Sequence, residues 1–308
     1  MKFLVVLFVV FSNAIFSQNC DSLYLKSLKA FDQDEFKQSL ELVNKSIELC
    51  DSKVDFYVHA AKCNYQIKNY EATLSNLNAA IKLDDKCIPA YALKAQMLLA
   101  TDMFEQAIVN YEKIITLLPI LDSTTTIYRV NLSKAYINTN QYAKAYDVLQ
   151  LVYSLDSSNF ELVTNLSVCC MNTNKMQLAE YYLNRSLVLN PSATAGLVNM
   201  GYFLVQTQNY EKAITYFNKA LGINPREAYA LNNRGFAQFK LGSFDKALQD
   251  ISQSILLDPS NSFAYKNRAL VYLSTGLTTE ACADLQKAID LGFVAMFGNE
   301  VTILQKEA

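Results

Sequence analysis

Small and large residues return along this chain at a fixed interval. Written in rows of 34 residues (20–53, 54–87, 88–121, then four extra residues 122–125, then 126–159, 160–193, 194–227, 228–261 and 262–295), the sequence resolves into columns of uniform chemistry. Column 8 is small throughout: Ser27, Ala61, Ala95, Ser133, Ser167, Gly201, Gly235 and Ala269. Column 20 is small as well, from Ser39 and Thr73 to Ala247 and Ala281, whereas column 24 is large, from Val43 and Leu77 to Phe217, Ile251 and Leu285. Column 17 is mostly aromatic and follows a short polar stretch such as Gln208 and Asn209. Small residues recur where two helices approach closely and large ones where a gap is filled, so each row reads as helix A, a turn and helix B. Pro119, Pro191, Pro225 and Pro259 carry the same interval, lying 72, 34 and 34 residues apart, and 72 is two rows plus the insertion.

Composition agrees with a helical array. The chain has 308 residues but only 8 Gly and 5 Pro, too few for the turns that sandwiches, barrels and Gly-rich nucleotide folds consume. With 51% hydrophobic and 18% charged residues it has material for a continuous core. Lys+Arg 27 against Asp+Glu 29 leaves a net charge of −2, which offers no electrostatic reason for a nucleic-acid or anionic-membrane partner.

The columns resemble those of the tetratricopeptide repeat family, whose 34-residue unit has small residues at columns 8, 20 and 27 and proline at 32. Row 194–227 matches best, through Gly201, Tyr210, Ala213, Phe217, Ala220 and Pro225. The first row departs, with serine at all three small columns (Ser27, Ser39, Ser46), as does the third, with Ile114 at column 27; both are expected to pack less regularly. The resemblance implies an all-α solenoid with A helices lining a concave side. The expected organisation is a signal peptide over 1–17, repeats 1–3 over 20–121, an inter-repeat insertion over 122–125 read as a longer loop or else as a tilt between the two sets of repeats, repeats 4–8 over 126–295, and a cap over 296–308 that hides the last apolar face.

Lys2 followed by the apolar run Phe3 to Phe11 and then Ser12, Asn13 and Ala14 reads as an export signal cut after Ser17. Nine apolar residues fall short of the roughly 20 a spanning helix needs, so the mature chain is expected to carry no transmembrane segment and to be periplasmic or secreted. Seven cysteines in an exported chain make a disulfide reasonable. Cys20 (column 1) and Cys50 (column 31) lie at one end of a helix pair, and Cys87 competes for Cys50; Cys63, Cys169 and Cys170 read as buried free thiols.

Candidate binding residues cluster in repeats 4–8. With columns 4, 7, 8 and 11 in the core, columns 2, 5, 6, 9, 12 and 13 face the groove, and column 6 reads Asn131, Asn165, Asn199, Asn233 and Asn267. A carboxamide matches both groups of a peptide backbone. With A helices about 10 Å apart and an extended peptide advancing about 3.3 Å per residue, one rung meets every third ligand residue. A purely structural role for these amides is the competing reading. Tyr202, Phe236 and Phe239, flanked by Asn232, Lys240 and Lys266, are expected to form a pocket with an aromatic floor. The Lys/Asn/Lys/Arg set with which some family members hold a terminal carboxylate is not assembled here.

With repeats and a short cap accounting for residues 20–308, no catalytic domain is expected among them. The sole histidine, His59 in column 6, is expected to be a solvated groove residue, and one histidine excludes His-rich metal sites; no cofactor or metal is expected. The leading expectation is a non-catalytic scaffold of the cell envelope holding a peptide segment or partner helix in the groove of repeats 4–8, with no small-molecule substrate. Alternatives are a structural subunit assembling through its ends or convex face and, remotely, a glycan-processing enzyme, for which Glu161 and Glu227 are too far apart in sequence to argue a carboxylate pair.

Overall fold

The computed structural model describes residues 19–294 and 298–307; the export segment read over 1–17 lies outside them. Two compact units meet in sequence after Val152, and each is a run of helical hairpins. The first contains α1 (19–32), α2 (Phe36–Leu49), α3 (Val54–Gln66), α4 (Tyr70–Leu83), α5 (Ile88–Ala100), α6 (Phe104–Leu117), α7 (Ser123–Asn138) and α8 (Tyr142–Tyr153). The second contains α9 (Phe160–Asn172), α10 (Met176–Leu189), α11 (Thr194–Gln206), α12 (Tyr210–Ile223), α13 (Ala228–Lys240), α14 (Phe244–Leu257), α15 (Ser262–Ser274), α16 (Thr278–Asp290) and the terminal α17 (Glu300–Glu307). Odd-numbered helices to α15 are the A helices and even-numbered ones to α16 the B helices.

The column chemistry becomes packing. The small residue of column 8 on helix A and the large one of column 24 on helix B are buried in all eight repeats. A side chain on Gly235 would put its Cβ 2.6 Å from Ile251 Cγ1 and 3.0 Å from the Ala247 carbonyl oxygen, so the helices meet at backbone distance there. Repeat 1 replaces this apolar contact with a reciprocal pair. Ser27 Oγ donates to the Ser39 carbonyl at 2.7 Å and Ser39 Oγ to the Ser27 carbonyl at 2.9 Å, both serines being fully buried. The expected irregularity of this row is thus a change of chemistry, with each polar group satisfied. Ile114 is likewise fully buried in repeat 3.

Every hairpin turns in one way. Column 15 has positive φ in all eight repeats, occupied by Asp34, Lys68, Asp102, Asn140, Asn174, Gln208, Gly242 and Gly276. The amide one residue further on bonds back across the turn to column 11, as in Asn69 N to Asn64 O at 2.9 Å and Ser243 N to Gln238 O at 2.9 Å. This left-handed stop satisfies carbonyls that the last turn of helix A would leave open.

A second polar register ties neighbouring repeats. Arg234 in column 7 makes a two-point ion pair with Asp250 in column 23 (both 2.7 Å) and donates to Asn218 of the preceding repeat at 2.8 Å. One repeat later Arg268 does the same with Asp284 (2.7 and 2.8 Å) and Ser252 (3.3 Å). In the first unit Lys94 reaches Asn78 at 2.7 Å from the same columns.

The insertion is not a longer loop: α7 begins at Ser123 and takes in three of the four inserted residues, with Asp122 Oδ1 accepting from Thr125 N at 2.9 Å. An N-terminal Asp absorbs the open amides of the first turn, so polar residues that look like loop extend the helix to 16 residues. At the other end Phe293 and Val301 are buried against the repeat 8 cluster.

Candidate functional site: the groove of repeats 6 to 8

The A helices α11, α13 and α15 expose columns 2, 5, 6 and 9 to a cavity of about 680 Å³ in the second unit. Its aromatic walls are Tyr202, Tyr229, Phe236 and Phe263, and its polar groups include Asn199, Asn232, Asn233 and Asn267. Tyr229 is 57% exposed, and Tyr202 and Phe263 are 38% exposed each, so large apolar faces stand open to solvent. Glu227 and Asn261, which immediately precede α13 and α15, also line it.

Of the residues expected to bind, Asn199, Tyr202, Asn233, Phe236, Lys266 and Asn267 are gathered here. The others are elsewhere. Phe239 is not a cavity wall: it lies between Phe236 and Phe244 (ring centroids 6.2 and 6.1 Å) and packs on the core shared by repeats 7 and 8. Lys240 is exposed and sits over both Phe236 (5.3 Å) and Phe239 (5.5 Å) outside the lining. Lys266 lines the cavity, but its ammonium is paired with Glu300 of α17 at 3.2 Å and lies 5.9 Å from the Phe293 ring.

The asparagines of column 6 differ in environment. Asn267 is 5% exposed and donates to Asn232 Oδ1 at 3.1 Å, so it does not face solvent as expected. Asn165 Nδ2 is buried outside the cavity lining, and Asn131 belongs to the first unit, where its amide lies beside the Tyr111 hydroxyl, whose pKa burial pushes up to about 12. The two half-buried amides of the cavity, Asn199 and Asn233, are the ones placed to meet a ligand. Glu227, Tyr229, Asn261 and Phe263 were missed as binding residues, because they fall at columns 34 and 2, where the rows differ from one another. The available signal was Tyr229 and Phe263, aromatic at column 2 of repeats 7 and 8 only, on a column already read as facing the groove.

His59 is not a groove residue but a buried one, 4% exposed. Its ring meets Tyr24 edge-on at 5.6 Å and Phe31 at 5.2 Å, while Nε2 lies 2.9 Å from Ser27 Oγ and 3.0 Å from Ser39 Oγ. Each serine proton goes to a backbone carbonyl, so the hydroxyl oxygens accept and the network assigns the ring proton to Nε2. Such a histidine has no free base aimed at either serine. Burial first, and then the Lys62 charge, hold its pKa below the usual imidazole value. Cys63 Sγ completes the cluster at 3.1 Å from Ser39 Oγ.

Cys20 and Cys50 form a disulfide across repeat 1, and Cys87 is a buried free thiol. Burial pushes Cys169 up to about 12 and Cys170 up to about 11, far from the range of reactive thiolates. Among the described residues no group of three or more His, Cys, Asp or Glu is placed to hold a metal, and no helix is long and apolar enough to cross a membrane.

Three models of the tetratricopeptide repeat match the chain, over residues 128–159, 201–242 and 228–261. The APC/C hetero-tetramer Cut9-Hcn1 is similar in structure, with a TM-score of 0.64 and 18% identity covering 92% of this chain and 55% of that one. So is TTC0263, a thermophilic TPR protein in Thermus thermophilus, at TM-score 0.53 and 18% identity, covering 59% of this chain and 97% of that one. DnaJ homolog subfamily C member 7 of Mus musculus is 29% identical over 90 residues, 28% of this chain; the match spans only 18% of that relative's length. At these identities the structural likenesses establish the fold, an all-α solenoid of tandem hairpins.

Proposed function

From the premise that this chain is a tandem tetratricopeptide-repeat protein, we propose that it is a non-catalytic interaction scaffold of the cell envelope that holds a peptide segment or partner helix in the groove of repeats 6 to 8. The observation that carries the reading is the cavity itself. It is built from the same columns of three successive A helices, and its solvent-facing surface is aromatic where a solvated groove would be polar. Aromatic walls supply the apolar contact, while Asn199 and Asn233 supply both a donor and an acceptor to a backbone. Export is supported by Lys2 and the apolar run Phe3 to Phe11.

The test is site-specific photocrosslinking in the native cells, with a benzophenone side chain at Tyr229 in the cavity or at Val188, which is 70% exposed on helix B of repeat 5. Adducts confined to Tyr229, mapping to one segment of a partner and lost with Phe236→Ala, are expected. Equal crosslinking at Val188, or insensitivity to Phe236→Ala, contradicts groove binding.

A further inference from the structure

The charges around the cavity are unequal in their freedom. Lys266 is the lining cation, and its ammonium is already met by Glu300 at 3.2 Å, with the Phe293 ring beneath it. Glu227 is the lining carboxylate; it is half-buried and accepts from the nearby Asn224 amide at a long 3.4 Å. The same cavity is lined by the rings of Tyr202, Tyr229, Phe236 and Phe263, of which Tyr229 is the most open. Aromatic faces attract cations through their quadrupole, most strongly where water is partly excluded. One wall already does so, since the Lys240 ammonium, outside the lining, lies 5.3 Å from the Phe236 ring.

Resting on the peptide-groove reading above, we propose that the cavity selects a basic side chain of the ligand, arginine ahead of lysine, stacked on the ring faces with Glu227 as its counter-charge. A planar guanidinium can lie flat on a ring while its N–H groups reach a carboxylate and the Asn199 and Asn233 carbonyl oxygens, a geometry an ammonium does not reproduce. An acidic ligand side chain would have to displace Glu300 from Lys266 and pass Glu227, so charge complementarity points the other way.

The probes are fluorescein-labelled decapeptides of one Ala/Ser/Leu sequence carrying Arg, Lys, citrulline or Glu at a single central position, titrated with the full chain by fluorescence anisotropy. Citrulline keeps the shape of arginine and removes the charge. The Arg peptide is expected to bind about tenfold more tightly than the citrulline peptide, with Lys between them and Glu weakest. Glu227→Gln should erase most of that preference by weakening the Arg peptide much more than the citrulline peptide, and Phe236→Ala should weaken all four. Equal binding of Arg and citrulline peptides, with Phe236→Ala weakening both, overturns the charge selection and leaves the groove reading standing. A preference for Glu, or an Arg preference that survives Glu227→Gln, overturns it as well. Binding that ignores Phe236→Ala, or no binding of any peptide, defeats both.

Discussion

Gly201 lies against the ring of Phe217 so closely that a methyl group at its α-carbon would stand 2.5 Å from the ring. The same meeting of columns 8 and 24 occurs at Gly235 and Ile251, where the Ala247 carbonyl adds a backbone wall at 3.0 Å that no rotamer change relieves. Gly235→Leu is therefore expected to destabilise the chain by about 1–3 kcal/mol through overpacking, with the loss concentrated in repeats 6 to 8. Hydrogen exchange reads this directly. Unchanged protection of α12 to α15 would contradict the register.

Which parts of this were legible in the sequence follows from what repeats. Columns 8, 20 and 24 were visible because the same close approach imposes the same side-chain size eight times. The left-handed turn at column 15 was not, since six of its eight occupants are ordinary residues such as Lys68 and Gln208, and only Gly242 and Gly276 carry a compositional mark. The Arg234–Asp250 pair was hidden because its columns hold other residues in most rows. His59 was misplaced for a related reason: column 6 lines the cavity in repeats 6 to 8, but in repeat 2 Tyr24 and Phe31 of α1 close over it, and Ser27 and Ser39 supply the partners a buried imidazole requires. Column position predicts a face, whereas burial depends on what the neighbouring helix places above that face.

The column 15 conformation has a measurable cost in stability. A left-handed residue with a Cβ is disfavoured by about 1–2 kcal/mol, partly offset by the greater unfolded-state freedom of glycine. Gln208→Gly should accordingly stabilise the fold by roughly 0.5–1 kcal/mol, and Gly242→Ala should destabilise it by a similar amount. Nothing lies within 4 Å of a Cβ at Gly242, so the second change isolates the backbone effect. Urea denaturation of the two variants should move the midpoint in opposite directions; movement in one direction for both would refute the strain argument.

Acid should weaken the first two repeats. The folded pKa of His59 is lowered, chiefly by burial, so the unfolded chain binds its proton more readily than the folded one. The neutral ring's contribution is fully present above the unfolded value of about 6.5 and is lost as pH falls from there towards the lower folded value. Thermal unfolding followed by exchange in α1 to α3 should show a stability that declines below about pH 6.5. His59→Gln should flatten that decline, although the variant is less stable at neutral pH because the ring packed against Tyr24 and Phe31 is lost. An unaltered slope in the variant would place the acid sensitivity in groups other than His59.

Binding and folding must separate at the groove if its amides meet a ligand. Asn199 and Asn233 line the cavity and are half-buried, so replacing both with Ala should leave helicity and melting nearly unchanged. Each hydrogen bond lost to a ligand backbone is worth about 0.5–1.5 kcal/mol, and the double change should lower affinity about 5- to 150-fold. Phe236→Ala should lower it further, since truncating an aromatic wall removes both contact area and shape. Two other asparagines bracket the comparison. Asn44 is exposed on helix B of repeat 1 and its replacement should alter neither property, whereas Asn267 donates to Asn232 inside the protein, so Asn267→Ala should reduce stability as well as binding. Calorimetric melting and affinity for a crosslink-identified partner peptide, measured on the same four variants, decide the matter. If the Asn199 and Asn233 changes unfold the array as much as they weaken binding, these amides hold the repeats together and the ligand role fails.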